Sequence, residues 1–223
     1  TKGRGRDGPL DFFGDYKGYV QADAYSGYNA LFRRPGVIEV GCWAHARRRF
    51  FKALETEPEH AKHAIAAIRM LYDVEKEADK AELDSEARRQ LRQQESKPLL
   101  DKIGPWLRGL KQLELPKSPI GKAVNYAVNQ WEALTRFVED GRLALDNNRA
   151  ERAIRQVAIG RKNWMFAGSD AGGERAAAIY SLIGGCIELK LDPFQYLEDV
   201  IRRLPAGADP RQLTPRAWLA ARS

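Results

Sequence analysis

The sequence predicts an α/β domain that a long all-helical segment interrupts, in a chain that is helix-rich overall. Three observations support this fold class. Residues 18–23 read as an extended segment, and residues 37–42 are rich in β-branched side chains, as strands are. From 52 to 140 the apolar residues recur only at helical spacing. An Asp-Asn-Asn run at 146–148 then supplies the polar side chains that begin a further helix.

Local signals define the elements before and within the helical segment. A loop over 1–16 contains a short helix near 9–14, a second short helix is predicted over 29–32, and a basic helix follows the second strand. In the helical segment Pro58 suits a first helical turn, and the clearest helix begins after Ser118 and stops near Gly141. The predicted buried stripe of that helix is Ile120, Ala123, Val124, Ala127, Trp131, Leu134 and Val138.

The last third of the chain is also predicted to be helical. Ser169 or Asp170 caps a helix that runs to about Leu189, and Asp192 begins another. Two apolar stripes are expected to face a core: Ala150, Ala153, Ile154 and Val157 in the helix after 146–148, and Phe194, Leu197, Val200, Ile201 and Leu204 in the helix after Asp192.

The charge and cysteine content narrow the classes of partner and compartment. The 223-residue chain has a formal net charge of +7 and a pI near 9.4, which favours a polyanionic partner without choosing among DNA, RNA and a membrane surface. Two cysteines, Cys42 and Cys186, argue against a disulfide scaffold and fit a reducing cytoplasm. No apolar run reaches membrane-spanning length.

Two acids are candidates for metal chemistry. Asp23 stands at the end of the first predicted strand, and Glu151 lies in the capped helix after 146–148. Carboxylates that converge from a strand end and a distant helix can bind a hard divalent cation and leave sites open for water and phosphate oxygens. The alternatives remain open: Asp23 could simply end a strand, and Glu151 could pair with Arg155 on the helix surface.

Basic and aromatic residues supply candidate nucleic-acid contacts. Arg161, Lys162 and Trp164 combine cations with an aromatic ring, a mixture that suits phosphates and exposed bases. The alternative is a solvated edge strand with Trp164 in the core. The arginines at 47–49 are either a solvated helix face or a DNA-backbone contact.

Two short motifs resemble halves of a zinc site. Cys42 and His45 are three residues apart, as are His60 and His63. Structural zinc needs four ligands in rigid spacing, and nothing else in the sequence supports that arrangement. The sequence therefore argues against a zinc site and leaves the roles of Cys42 and His45 open.

Four segments together resemble one known family. They are GYVQADAYSGYNALF at 18–32, CWAHARRRF at 42–50, LALDNNRAERAIR at 143–155 and GRKNWMFAGSDAGGERAAAIYSLI at 160–183. The chain resembles a transposase of the insertion-sequence 66 family, a branch of the DDE transposases. The resemblance covers nearly the whole chain and is weakest in the helical segment and the tail.

The resemblance implies a ribonuclease H-like core with a metal-binding acidic triad. By motif position, Asp23 would be the second aspartate and Glu151 the glutamate, both ligands of Mg²⁺ or Mn²⁺. It also implies four parts: a partial ribonuclease H-like core at 1–51, the family's helical insertion at 52–140, the remainder of the core at 141–204 and a tail at 205–223.

One departure from the family pattern concerns the first catalytic aspartate. In the family it lies on a strand before those seen here, and Asp7, Asp11 and Asp15 do not match its motif. We therefore expect this chain to be the C-terminal part of a catalytic domain and to be inactive alone.

The expected function of the intact protein is metal-dependent DNA cleavage and strand transfer at the ends of an insertion sequence. The expected DNA contacts are Arg152, Arg155, Arg161, Lys162 and Trp164. Expected partners are the transposon ends and target DNA, further copies of the chain on that DNA, and small accessory proteins, all in the cytoplasm at the nucleoid. Two alternatives stay open: an inactive DNA-binding remnant without the first aspartate, and a helical interaction scaffold.

Overall fold

The two predicted strands pair with each other in parallel. The computed structural model describes residues 7–160 and 168–222. Strands β1 (Gly18–Gln21) and β2 (Val37–Val40) align Gly18 with Val37 and Gln21 with Val40. Helix α1 (Asp7–Phe13) precedes them, and the short helix α2 (Asn29–Phe32) lies in the connection between them. Parallel pairing requires such a crossover, and it places the carboxyl ends of both strands at one edge.

Helices follow the sheet without interruption by a strand, as the sequence predicts, throughout the part of the chain between 52 and 140. A π-helical turn, Arg92–Ser96, joins the third and fourth helices after β2. The helices are α3 (Trp43–Ala53), α4 (Pro58–Lys80), α5 (Ser85–Leu91), α6 (Lys97–Leu113), α7 (Pro119–Asn129) and α8 (Trp131–Thr135).

These helices share one apolar core. It draws on α3, α4, α6 and α7, and Ile68, Leu107 and Ile120 are among its fully buried side chains. The predicted stripe from Ile120 to Val138 is buried apart from Trp131, which is partly buried against the same core. The single helix predicted there is divided at Gln130, the cap between α7 and α8.

Glycine at 141 is required by a close backbone approach. A Cβ at this position would lie 1.8 Å from the carbonyl oxygen of Ser85. Any larger residue would push apart the start of α5 and the segment after α8. Gly141 therefore does more than end the helical stretch, because it lets two distant segments touch.

The helical core is tied to the edge of the sheet. The backbone N–H of Gly41 donates to the carbonyl of Ala133, and the Trp43 indole N–H donates to the carbonyl of Leu134 at 2.8 Å. Gln21 donates from its side chain to the carbonyl of Ala144 at 2.8 Å. The carboxyl ends of β1 and β2 are thus held against α8 and the segment that precedes the next helix.

In the described residues of the C-terminal part there are four further helices, α9 (Asn148–Gly160), α10 (Asp170–Glu188), α11 (Pro193–Arg203) and α12 (Pro215–Ala220). The Ser169 and Asp192 side chains cap α10 and α11, accepting from the N–H groups of Gly172 and Phe194. Both caps were predicted from the sequence. The chain divides into two compact units, Thr1–Arg149 and Ala150–Ser223.

The two apolar stripes predicted in the second unit are largely exposed, which corrects the sequence analysis. In α9, Ala150 and Ala153 are exposed and Ile154 is 63% exposed. In α11, Phe194 is 75% and Ile201 67% exposed, and Leu204 is also exposed. The buried residue of α11 is Tyr196, whose hydroxyl donates to the carbonyl of Leu213 at 2.6 Å. Helical periodicity identified an apolar face in each case, but it does not show that another element covers that face.

The helix-rich character of the chain is confirmed, with a small parallel sheet near its start. The ribonuclease H-like core implied by the resemblance stays a prediction. Of the helices in the described ranges, none combines the length and the apolar content that a membrane span requires.

Candidate functional site

Asp23 lies at the carboxyl edge of the parallel strand pair. It follows β1 by two residues, and the next residue, Ala24, has a left-handed φ of 62°. That conformation is uncommon for a residue with a Cβ and turns the chain sharply at the strand end. The N–H of Tyr25 donates to Oδ1 of Asp23 at 3.1 Å, so the carboxylate is fixed locally. Its side chain is 40% exposed, which leaves it open to solvent.

His45 faces the same carboxylate from the helix that follows the neighbouring strand. It lies in the first turn of α3, directly after β2, and its Nε2 is 4.0 Å from Oδ2 of Asp23. Its Nδ1 lies 3.3 Å from the sulfur of Cys42. Parallel pairing explains this convergence, because residues that follow two adjacent parallel strands emerge at the same edge.

Cys42 is hydrogen-bonded to the segment that leads into α9. Its thiol donates to Oδ1 of Asn147 at 3.1 Å, and the N–H of Asn147 points back to the sulfur at 3.4 Å. Burial raises the pKa of the Cys42 thiol above its usual value. A raised pKa disfavours the thiolate, which is the form that binds zinc.

Asp146 is the site residue that the sequence analysis missed. It was interpreted only as helix-capping chemistry, and its Oδ1 does accept the N–H of Asn148 at 3.0 Å. Its Oδ2 also accepts the hydroxyl of Tyr72 on α4 at 2.8 Å. Burial, followed by this hydrogen bond and the charge of Asp146, raises the pKa of Tyr72 well above its ordinary value. Tyr72 and Asp146 are 74 positions apart, so no local sequence pattern indicates this contact.

An arginine in the middle of α3 is linked to the end of β1 through the side chain of Tyr126. The Arg49 guanidinium lies 4.2 Å from the centre of the Tyr126 ring, and the Tyr126 hydroxyl donates to the backbone carbonyl of Asp23 at 3.4 Å. Burial first, and nearby negative charges next, raise the pKa of Tyr126 to about 12. Arg47 lies on the same helix, and its Nε is buried with no hydrogen-bond partner among the described residues.

Glu151 lies in the first turn of α9 and is half-buried. It belongs to the second compact unit, whereas Asp23 belongs to the first. Arg152 and Arg155 are exposed on the same helix. Arg161, Lys162 and Trp164 lie outside the described residues. The pairing of Asp23 with Glu151 on a shared ion and the DNA contacts therefore stay predictions.

The two motifs compared with half zinc sites lie on different elements and have different partners. Cys42 and His45 are adjacent at the strand edge. On α4, His60 contacts Glu114 at 2.9 Å, and the ring of His63 lies 4.5 Å from the ring of Trp106. The described residues therefore hold the two motifs on separate elements, the strand edge and α4.

Comparison with known proteins assigns the chain to a family. Residues 1–175 match the Transposase IS66 family. The chain is similar to the uncharacterized protein y4hP of Sinorhizobium fredii, at 32% identity over 232 residues, which is 96% of this chain and 42% of that protein. It is also 34% identical to the uncharacterized protein y4qI of the same organism over 214 residues, 92% of this chain and 39% of that protein.

The chain spans about two fifths of the length of these curated relatives. No solved structure matches it. The family match runs from residue 1 into the first turns of α10, and so includes the strand pair, Asp23 and Glu151. The chain belongs to the IS66 transposase family.

Proposed function

We propose that this chain forms part of the catalytic region of a DNA transposase, which cleaves and joins DNA strands at the ends of an insertion sequence. Family membership supports a transposase and makes DNA its partner. The proposal rests on the position of Asp23. Its carboxylate is accessible to solvent and lies at the carboxyl edge of two parallel strands. Ligand and catalytic groups in α/β sheets gather at this edge.

The residues at this edge fit a hard divalent cation such as Mg²⁺ or Mn²⁺. Asp23 offers oxygen ligands, which such cations prefer, and its 40% exposure leaves space for an ion and its water. We assign Glu151 as a second ligand and an aspartate on an earlier strand of the intact protein as the third. When bound, the ion would activate a water or DNA 3′-hydroxyl and stabilise the in-line displacement at phosphorus.

The chain's own residues hold the carboxylate of Asp23 in place. The N–H of Tyr25 fixes Oδ1, which leaves Oδ2 directed toward His45. The Tyr126 hydroxyl holds the backbone carbonyl of the same residue. Because three separate elements constrain this position, the carboxylate is preorganised for a ligand. We assign His45 a positioning role at Oδ2.

The proposed DNA contacts come from the basic residues near Glu151. Arg152 and Arg155 are exposed on α9 and suit phosphate oxygens. We assign the same role to Arg161 and Lys162, and stacking on a displaced base to Trp164. The proposal includes a ribonuclease H-like core interrupted by the helices between 52 and 140, and assembly of several copies on DNA with accessory proteins.

A second candidate function is an inactive DNA-binding remnant. Asp7 and Asp11 lie on α1 and Asp15 follows that helix, so none of the three follows a strand. None of these three aspartates therefore has the strand-end position expected of the family's first catalytic acid. A remnant would bind DNA at the transposon ends without cleaving it.

Salt-dependent DNA retention tests the proposed function against a scaffold that binds no nucleic acid. We expect the chain to bind DNA with an affinity that falls steeply as salt rises, because bound arginines release condensed counterions. Arg152→Ala with Arg155→Ala should reduce the slope of log affinity against log salt by about 2. Fluorescence anisotropy at several salt concentrations measures the slope.

Arg89→Ala is the matched control for this experiment. Arg89 is a surface arginine held by Glu86 through contacts of 2.9 and 2.6 Å, on a helix distant in sequence from α9. Its replacement should leave the slope unchanged. If retention does not depend on salt, or if Arg89→Ala changes the slope as much as the Arg152/Arg155 double variant does, the assignment of Arg152 and Arg155 is contradicted.

A further inference from the structure

A histidine and two glutamates meet in the helical segment, far along the chain from Asp23. Glu57, His60 and Glu114 each offer a ligand atom, and these three atoms lie within 4.8 Å of one another. Nδ1 of His60 is 2.9 Å from Oε1 of Glu114. Among the described residues this is the group in which three metal-binding side chains converge. It has no part in the proposed transposase site.

All three residues lie at or near helix ends. Pro58 begins α4, so Glu57 is its N-cap residue and His60 lies three positions further on the same face. Glu114 is the C-cap residue of α6, and its N–H donates to the carbonyl of Leu110 at 3.0 Å. The stacking of His63 on Trp106, at 4.5 Å, holds the same two helices together one turn away.

The spacing of the ligand atoms suits a single small cation. Bonds of about 2.0–2.2 Å in a tetrahedral shell separate neighbouring ligand atoms by about 3.3 Å. The 2.9 Å between His60 and Glu114 needs only a small expansion to reach that separation. Glu57 is exposed, and three protein ligands leave one position of a tetrahedral shell for water.

The chemistry of the donors selects the class of metal. Imidazole nitrogen favours zinc and related transition metals over Mg²⁺ and Ca²⁺, which prefer oxygen alone. The C-terminal dipole of α6 favours a cation at Glu114, and this offsets the opposing dipole at the start of α4.

We propose that Glu57, His60 and Glu114 bind a divalent transition-metal cation of the Zn²⁺ class, which joins the start of α4 to the end of α6. The ion would replace the direct contact between His60 and Glu114 with bonds to all three side chains. It would stabilise the helical segment, because a ligand that binds only the folded state raises its stability.

Zinc titration of the metal-free chain tests this site. Isothermal titration calorimetry should show saturable Zn²⁺ binding that an excess of Mg²⁺ does not displace. Glu57→Gln, His60→Ala and Glu114→Gln should each weaken the affinity by about tenfold or more. Zn²⁺ should also raise the melting temperature of the unmodified chain by more than it raises that of each variant. Because Glu57 is exposed, Glu57→Gln tests the site without threatening the fold.

Two controls separate this site from others in the chain. His63→Ala removes a histidine from the same helix and should leave the zinc affinity unchanged. Asp23→Asn should also leave it unchanged, because Asp23 belongs to the strand edge. The proposal is overturned if the unmodified chain shows no saturable zinc binding, if Glu57→Gln and His60→Ala bind as tightly as it does, or if Mg²⁺ competes equally.

Discussion

Asp23→Asn, introduced into a full-length transposase that carries this chain, is expected to lower the rate of DNA strand cleavage by about 10³-fold. An asparagine has the same shape but no negative charge, so it is a far weaker ligand for a hard divalent cation. Metal-ion stabilisation of a phosphoryl transition state contributes several kcal/mol, and about 1.4 kcal/mol corresponds to a tenfold change in rate. Cleavage of a labelled transposon-end duplex measures the effect.

Asp15→Asn is the matched control for this substitution. Asp15 is an exposed aspartate that follows α1 and precedes β1, and it should tolerate the same change without loss of rate. DNA retention should persist in both variants, since neither residue is assigned to phosphate binding. Cleavage by Asp23→Asn within a few-fold of the original rate would remove Asp23 from the catalytic site.

Arg92→Met is expected to lower the free energy of unfolding by about 3–5 kcal/mol. The Arg92 side chain is 1% exposed, and its Nε and Nη2 donate to the two carboxylate oxygens of Glu75, both at 2.7 Å. It also donates to the carbonyls of Phe137 and Asp140, at 2.8 and 3.0 Å. Removing the guanidinium takes this donor from both carbonyls and leaves Glu75 with its weaker contact to Arg88. Urea denaturation followed by circular dichroism gives the loss.

Arg88→Met provides the comparison for this buried pair. Arg88 contacts the same glutamate at 3.0 Å and also Asp79, but its side chain is 19% exposed and it holds no carbonyl. Its loss leaves Glu75 paired with Arg92, so we expect a cost of about 1 kcal/mol. Equal losses from the two variants would show that Arg92 contributes only as an ordinary surface ion pair.

Local signals in the sequence located most helices correctly. The caps at Ser118, Ser169 and Asp192 each accept a backbone N–H where the sequence predicted a helix start. Capping depends on a few adjacent residues, so it can be identified without the fold. The strands were also located, although each ends two residues earlier than predicted.

The same local signals do not predict how distant parts of the chain pack together. The exposed faces of α9 and α11 show that an apolar stripe does not reveal what covers it. Arg92 lies in a segment of polar residues, Arg-Gln-Gln-Glu-Ser, and no pattern there indicates that it is buried with Glu75. The split at Gln130 is equally hidden, because the apolar spacing continues through it.

The candidate site also combines features that local sequence predicts with contacts that depend on long-range packing. Asp23 was predicted because it ends a strand, and its approach to His45 follows from parallel pairing of two segments that both looked extended. The contacts of Asp146 with Tyr72 and of Tyr126 with Asp23 join residues 74 and 103 positions apart. Such contacts depend on how the helices pack against the sheet edge, which no local motif encodes.

Manganese binding most directly tests whether Asp23 and Glu151 bind one shared ion. Electron paramagnetic resonance counts the Mn²⁺ held by a full-length protein that carries this chain, by Asp23→Asn, by Glu151→Gln and by the double variant. Each single substitution should remove the same ion, and the double variant should lose no more than either one. If the two substitutions remove different ions, or if Glu151→Gln removes none, the two carboxylates do not form one metal site.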